Sequence, residues 1–76
     1  MYDQIVRILK RYTDRDPQDI TPDSRLQSDL ELNSLDVVNI VIEFEDTFNI
    51  SISDDEITKF FKVQDIVDCL VEKGIA

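Results

Sequence analysis

The sequence predicts a small all-α protein: a four-helix bundle of three longer helices and one short one, with a long loop between the first two. Three observations carry that prediction. Apolar residues recur at helical spacing in three separate stretches of the 76-residue chain. Helix-start signatures of a capping side chain followed by acids occur at Asn33-Ser34-Leu35-Asp36 and Ser53-Asp54-Asp55-Glu56. The alternation of Ile50 and Ile52 with serines is too short to make a sheet.

Each element follows in order. Tyr2, Ile5, Val6, Leu9 and Tyr12 predict a first helix over residues 2–14. Asp16-Pro17 and Thr21-Pro22 break it, because the residue before proline avoids helical geometry. A long loop runs to about residue 33, held to the core by Leu26, Leu30 and Leu32. The second helix runs from the Asn33–Asp36 start to about Phe48, and Ile50 and Ile52 belong to a packed loop. A short helix opens at Ser53 and reaches about Phe60. Val63, Ile66, Val67, Leu70 and Val71 mark the last helix, which Gly74 ends. A single domain over residues 1–76 is expected, with 42% hydrophobic residues spread along it and no low-complexity stretch.

Composition narrows the chemistry. The chain has no histidine, one glycine, one cysteine and no tryptophan. It therefore lacks Ser-His-Asp and Cys-His triads, histidine-ligated zinc, a glycine-rich phosphate loop and an internal disulfide. Enzymatic activity is not expected. Cys69 reads as a small core residue, and Asp54, Asp55 and Glu56 as a solvated helix start without the glycine of a calcium loop. No 18-residue apolar run exists to enter a membrane, and Met1-Tyr2-Asp3-Gln4 does not open like a secretion signal. A cytoplasmic monomer is expected.

The net charge of −9 makes nucleic acid a poor partner. All of it comes from one segment. Five bases balance five acids in residues 1–25, and three balance three in residues 59–76. Residues 26–58 hold nine acids and no base. Acidic runs commonly just keep a surface solvated. Confinement of the whole imbalance to the middle favours a basic partner that docks there.

The second helix has two apolar faces. At about 100° per residue, Val37, Ile40, Val41, Phe44 and Phe48 form one core stripe. Asn39, Glu43, Asp46 and Asp36 form a polar stripe, while Leu35, Val38 and Ile42 gather away from the core with Glu45 beside them. A neighbouring helix or the long loop could cover these three. An apolar strip fringed by acids is also the usual make-up of a docking site, and such patches are seldom exposed without a use. At the same helix start Ser34 reads first as a cap. The helix dipole and free N–H groups would equally favour a phosphate esterified there.

The segment Leu30-Glu31-Leu32-Asn33-Ser34-Leu35-Asp36 resembles the Leu-Gly-x-Asp-Ser-Leu-Asp/Glu attachment motif of acyl carrier proteins. The likeness continues through Val38, Glu45, Asp46, Phe48, Ile52 and Asp54-Asp55-Glu56 to Val63-Gln64-Asp65, nearly the whole chain. The resemblance implies a 4′-phosphopantetheine arm, drawn from coenzyme A and joined to Ser34 by a phosphodiester, whose thiol carries an acyl chain as a thioester. It implies a phosphopantetheinyl transferase (holo-carrier synthase) as one partner. The others are acyl-transferring, ligating or condensing enzymes of fatty acid, lipid or related biosynthesis, with basic docking patches. Those patches would meet Asp36, Glu43, Glu45 and Asp46, with Leu35, Val38 and Ile42 as apolar contacts. The cargo would touch Phe44, Ile52, Ile57 and Phe60 inside the bundle.

Three positions depart from the family pattern. Asn33 replaces an aspartate, Asn39 a glutamate, and Glu31 a glycine. Two docking charges are thereby missing, and Phe44, Phe60 and Phe61 are expected to take up interior space. These changes point to a specialised carrier as readily as to a general fatty-acid carrier. The rival readings are an aminoacyl or peptidyl carrier, whose usual Gly-Gly-x-Ser-Leu motif is missing, and an acidic adaptor bundle in which Ser34 only caps a helix.

Overall fold

The computed structural model describes residues 2–75, so Met1 and Ala76, the ends of the expected domain, lie outside the described residues. Its helices are α1 (Tyr2–Leu9), α2 (Ser34–Phe48), α3 (Asp54–Ile57) and α4 (Val63–Glu72), with a single 3-10 turn at Pro17–Asp19. Three helices are long and α3 is one turn, which is the expected all-α bundle. Among the described residues there is no strand, only an isolated antiparallel bridge between Arg25 and Lys62.

The core stripes settle where the sequence periodicity puts them. Ile5 and Leu9 of α1, Ile40, Val41 and Phe44 of α2, and Val63, Ile66 and Leu70 of α4 are buried together. Each fully buried aliphatic or aromatic side chain of this kind stabilises the fold by about 1.5–3 kcal/mol. Cys69 joins them as a buried free thiol, and burial pushes its pKa up. The helix α4 stops in the way its glycine predicts. Gly74 takes φ +83, its N–H donates to the Val71 carbonyl, and the Ile75 N–H donates back to Leu70. Those two bonds satisfy carbonyls that the helix end would leave open.

Two boundaries fall short of the sequence expectation. The first helix ends at Leu9 rather than residue 14, because the chain tightens there. The Arg11 and Tyr12 N–H groups bond three residues back, to Ile8 and Leu9, at 3.1 and 2.9 Å. Thr13 is then buried, with its hydroxyl donating to the Leu30 carbonyl at 2.9 Å. That side-chain bond draws the chain off the helix axis toward the loop. Likewise α3 ends at Ile57 rather than Phe60, and Lys59 and Phe60 close it with three-residue turns onto Glu56 and Ile57. The chain must leave the helix there to run beside the long loop.

The loop from residue 10 to 33 is ordered by that contact. Leu26, Leu30 and Leu32 are buried as expected, and Ile20 joins them. The Leu26 N–H donates to Phe61 O at 2.9 Å, Val63 N–H to Ser24 O at 3.0 Å, and Gln64 N–H to Pro22 O at 2.9 Å. These bonds form a seam between residues 22–26 and the connection from α3 to α4.

One residue of the loop is strained. Glu31, at the position where the carrier motif has glycine, adopts φ 57. A side chain in the left-handed region costs about 1–2 kcal/mol, and its 3.9 Å pair with Arg15 is too exposed to offset much of that. Glu31→Gly should therefore stabilise the protein, net of the extra chain entropy of glycine, by roughly 0.5–1 kcal/mol. Urea denaturation checks this: a midpoint equal to or below the parent's would show that the backbone at residue 31 is relaxed.

Candidate functional site

The start of α2 separates two roles that the sequence left merged. Asn33, in extended geometry, is the N-cap, and its Oδ1 accepts the Asp36 N–H at 2.8 Å. The Asp36 carboxylate reciprocates, accepting the Asn33 N–H at 3.2 Å. This reciprocal box uses the amide as well as an aspartate would. Ser34 is consequently the first residue inside the helix. Its side chain is exposed, and among the described residues its hydroxyl has no hydrogen bond. The cap reading of Ser34 is corrected by that finding.

Ser34 borders an open groove of about 650 Å³. Its walls include Val37 and Val38 from α2, Ile57 from α3, Phe60 and Phe61 beyond it, and Arg25 and Lys62 from the bridged pair. Of the residues expected to touch an acyl chain, Ile57 and Phe60 lie on this groove. Phe44 and Ile52 do not; Phe44 is fully buried and Ile52 nearly so. Phe61 also departs from expectation. It is 69% exposed rather than interior, because adjacent residues in the non-helical connection diverge, Phe60 inward and Phe61 outward.

The second apolar face of α2 is uncovered. Leu35, Val38 and Ile42 are 68%, 41% and 48% exposed, so no loop or helix hides them. The acids around them differ from one another. Asp46 is exposed, with no ion pair among the described residues. Asp36 is half-buried and tied into the cap. Glu45 is half-buried and accepts the Ile52 N–H at 2.9 Å, fastening the loop after α2. Glu43 turns toward the turn that follows α1, where it meets Arg11 at 2.6 Å.

Glu43 Oε2 is buried and meets no hydrogen bond of good geometry, although the Tyr12 hydroxyl stands against the same carboxylate. That contact, ahead of burial, raises the Tyr12 pKa above its ordinary value, since a carboxylate neighbour favours the neutral phenol. At α3, Glu56 closes a capping box with Ser53 and pairs with Lys73 at 3.1 Å. The Ser53 N–H and Lys73 hold its carboxyl below the usual range. Groups of three or more metal-binding side chains are absent among the described residues.

The start of α2 thus leaves a serine hydroxyl free beside a groove and an uncovered apolar strip. The family described as "Phosphopantetheine attachment site" matches residues 3–70. The acyl carrier protein of Picosynechococcus sp. is 37% identical over 73 residues, covering 96% of this chain and 90% of that relative. The acyl carrier protein of Rubrobacter xylanophilus is 39% identical over 61 residues, 80% of this chain and 75% of its own. That of Onion yellows phytoplasma is 40% identical over 67 residues, 88% of each. The chain belongs to the acyl carrier protein family. It is a carrier and not an enzyme, and the group it bears is a covalently attached 4′-phosphopantetheine. That group supplies the thiol on which an acyl chain is held. Family partners are a phosphopantetheinyl transferase and acyl-handling enzymes. Among the described residues no helix is long and apolar enough to cross a membrane.

Arg25, Lys62 and Phe61 are the groove residues that sequence reasoning missed as a group. Arg25 directly precedes the acid-only segment, and Lys62 follows it after Lys59. Their meeting depends on the seam and could not be read from spacing.

The raised Tyr12 pKa has a direction in stability. A group whose folded pKa is raised contributes stability that is full below its ordinary pKa and is lost as pH rises through the raised value. Alkaline loosening of the turn after α1 from Glu43 of α2 is therefore expected above the ordinary tyrosine range. Glu43→Gln should bring the Tyr12 midpoint down, read by residue-resolved NMR titration. An unmoved midpoint would show that Glu43 is not the cause.

Proposed function

We propose that this carrier holds its 4′-phosphopantetheine arm on Ser34 and delivers acyl thioesters to cytoplasmic enzymes of fatty acid, lipid or related biosynthesis. The observation that supports Ser34 most is its unbonded, exposed hydroxyl at the first position of α2, released from capping by Asn33. An arm there starts in the favourable field of the helix N-terminus. It also starts beside the exposed strip of Leu35, Val38 and Ile42, so a partner that docks on the strip receives the thiol directly.

The acids share the docking unequally. Asp46 offers a free charge to a basic enzyme, whereas Glu43 is already met by Arg11 and Glu45 by a backbone N–H. Rim charges act mainly on association rate. With Asn39 contributing no charge, the field toward a basic partner is weak for this family, which supports service to a specialised set of enzymes. Monomeric action agrees with a strip left open for changing partners.

Intact mass after incubation with coenzyme A and a transferase tests the attachment. The parent should gain one phosphopantetheine and Ser34→Ala none, while retaining its fold because Asn33 still caps α2. A gain that survives the substitution, on Ser28 or Ser51 for instance, would move the site.

Docking has its own test in initial loading rates at low salt. Asp46→Asn should slow association by an amount equivalent to about 0.2–1 kcal/mol, the range of an exposed pair. Glu43→Gln should change it little. The reverse order would show that Glu43 leaves Arg11 to meet the enzyme.

A further inference from the structure

The bridged pair Arg25 and Lys62 stands out in a protein of net charge −9. Both bases line the groove that Ser34 borders, and neither has an ion-pair partner among the described residues. Arg11, Arg15 and Lys73, by contrast, each meet a glutamate. The Asp29 and Asp65 carboxylates accept the backbone N–H groups of Arg25 and Lys62 at 2.8 and 2.9 Å without pairing with either charged head. Phe61, 69% exposed, lines the same groove, an aromatic face open to solvent.

We propose that Arg25 and Lys62 hold the phosphodiester of the arm borne on Ser34, and that Phe61 receives the apolar part of the same arm. The inference rests on attachment at Ser34. A phosphodiester carries one negative charge, and Ser34 lies in the segment that holds nine acids and no base. Asp36, two residues on, faces the same helix start and would repel it. Arg25 and Lys62 are the groove residues able to offset that repulsion, the guanidinium by its planar fork and the ammonium as a point charge. With the phosphate anchored, the remaining arm lies over Val38, Ile57 and Phe61 instead of extending into solvent. A resting arm of this kind shields the thioester until a partner's own basic patch competes for the phosphate.

The ¹⁵N and ³¹P NMR spectra of the protein before and after loading test this, with intact mass as an independent check on attachment. Loading should move the amide resonances of Arg25, Ile57, Phe61 and Lys62 as well as those next to Ser34. Raising salt from 0.1 M, where screening acts over about 10 Å, to 1 M, where it acts over about 3 Å, should reverse the distant shifts. Arg25→Gln with Lys62→Gln should abolish them, and Phe61→Ser should reduce those at Ile57 while leaving the ³¹P response to salt. Shifts confined to the residues next to Ser34, or distant shifts insensitive to salt, would overturn the proposal while the mass gain upheld attachment. The loaded parent's salt series alone separates these outcomes, whatever the variants do. A parent that gains no mass on Ser34 would overturn both readings.

Discussion

The backbone seam between residues 22–26 and 61–64 is the constraint on which the rest of the site depends. Its three hydrogen bonds, from Leu26 to Phe61, Val63 to Ser24 and Gln64 to Pro22, convert a long loop into a wall of the bundle. Without them, Leu26, Leu30 and Leu32 would still favour burial, but only the Thr13 and Arg15 side-chain bonds would tie this part of the loop to the rest of the chain. With them, the loop arrives at Asn33 in a defined direction and α2 begins at one place. The same seam turns Phe60 into the core and Phe61 out of it, and it brings Arg25 beside Lys62. Groove, cations and serine are therefore consequences of one set of backbone bonds.

At the head of α2, the cap and the free hydroxyl fall to neighbouring residues. Asn33 and Asp36 satisfy each other's backbone donors, so the helix start needs nothing from Ser34. A hydroxyl that served as the cap would be lost to the helix whenever it was modified. One that is free at the first helical position can bear a group without disturbing the fold. The amide of Asn33 performs this capping as an aspartate would, so its departure from the family pattern bears on charge and leaves the cap intact.

The acidic middle of the chain is likewise less uniform than its composition suggests. Glu43, Glu45, Glu56 and Asp36 are each engaged in holding helices or loops together. Their partners are bases from the flanking thirds and backbone N–H groups. An acid that holds structure contributes less field to an approaching enzyme, because its charge is already partly met. Few of the acids on α2 are thus left free beside its uncovered apolar strip.

The sequence by itself determined the helix count, the core stripe of α2, the presence of a second apolar face on it and the stop at Gly74; that this face is uncovered came from the tertiary structure. Each of the former depends on periodicity or on a local backbone preference, which act within a few residues. The sequence also marked Ser34 through its motif. Only the tertiary structure decided that Asn33 and not Ser34 is the cap, since both residue types cap helices equally well in isolation. It decided that α1 ends at Leu9, because the Thr13 hydroxyl bonds a carbonyl 17 residues away. It placed Phe61 outside, turned Glu43 to Arg11, and joined Arg25 to Lys62 across the acid-only segment. Apart from the cap, these outcomes depend on pairings between residues far apart in the chain. Spacing along a sequence carries no information about them until the loop has been folded onto the helices.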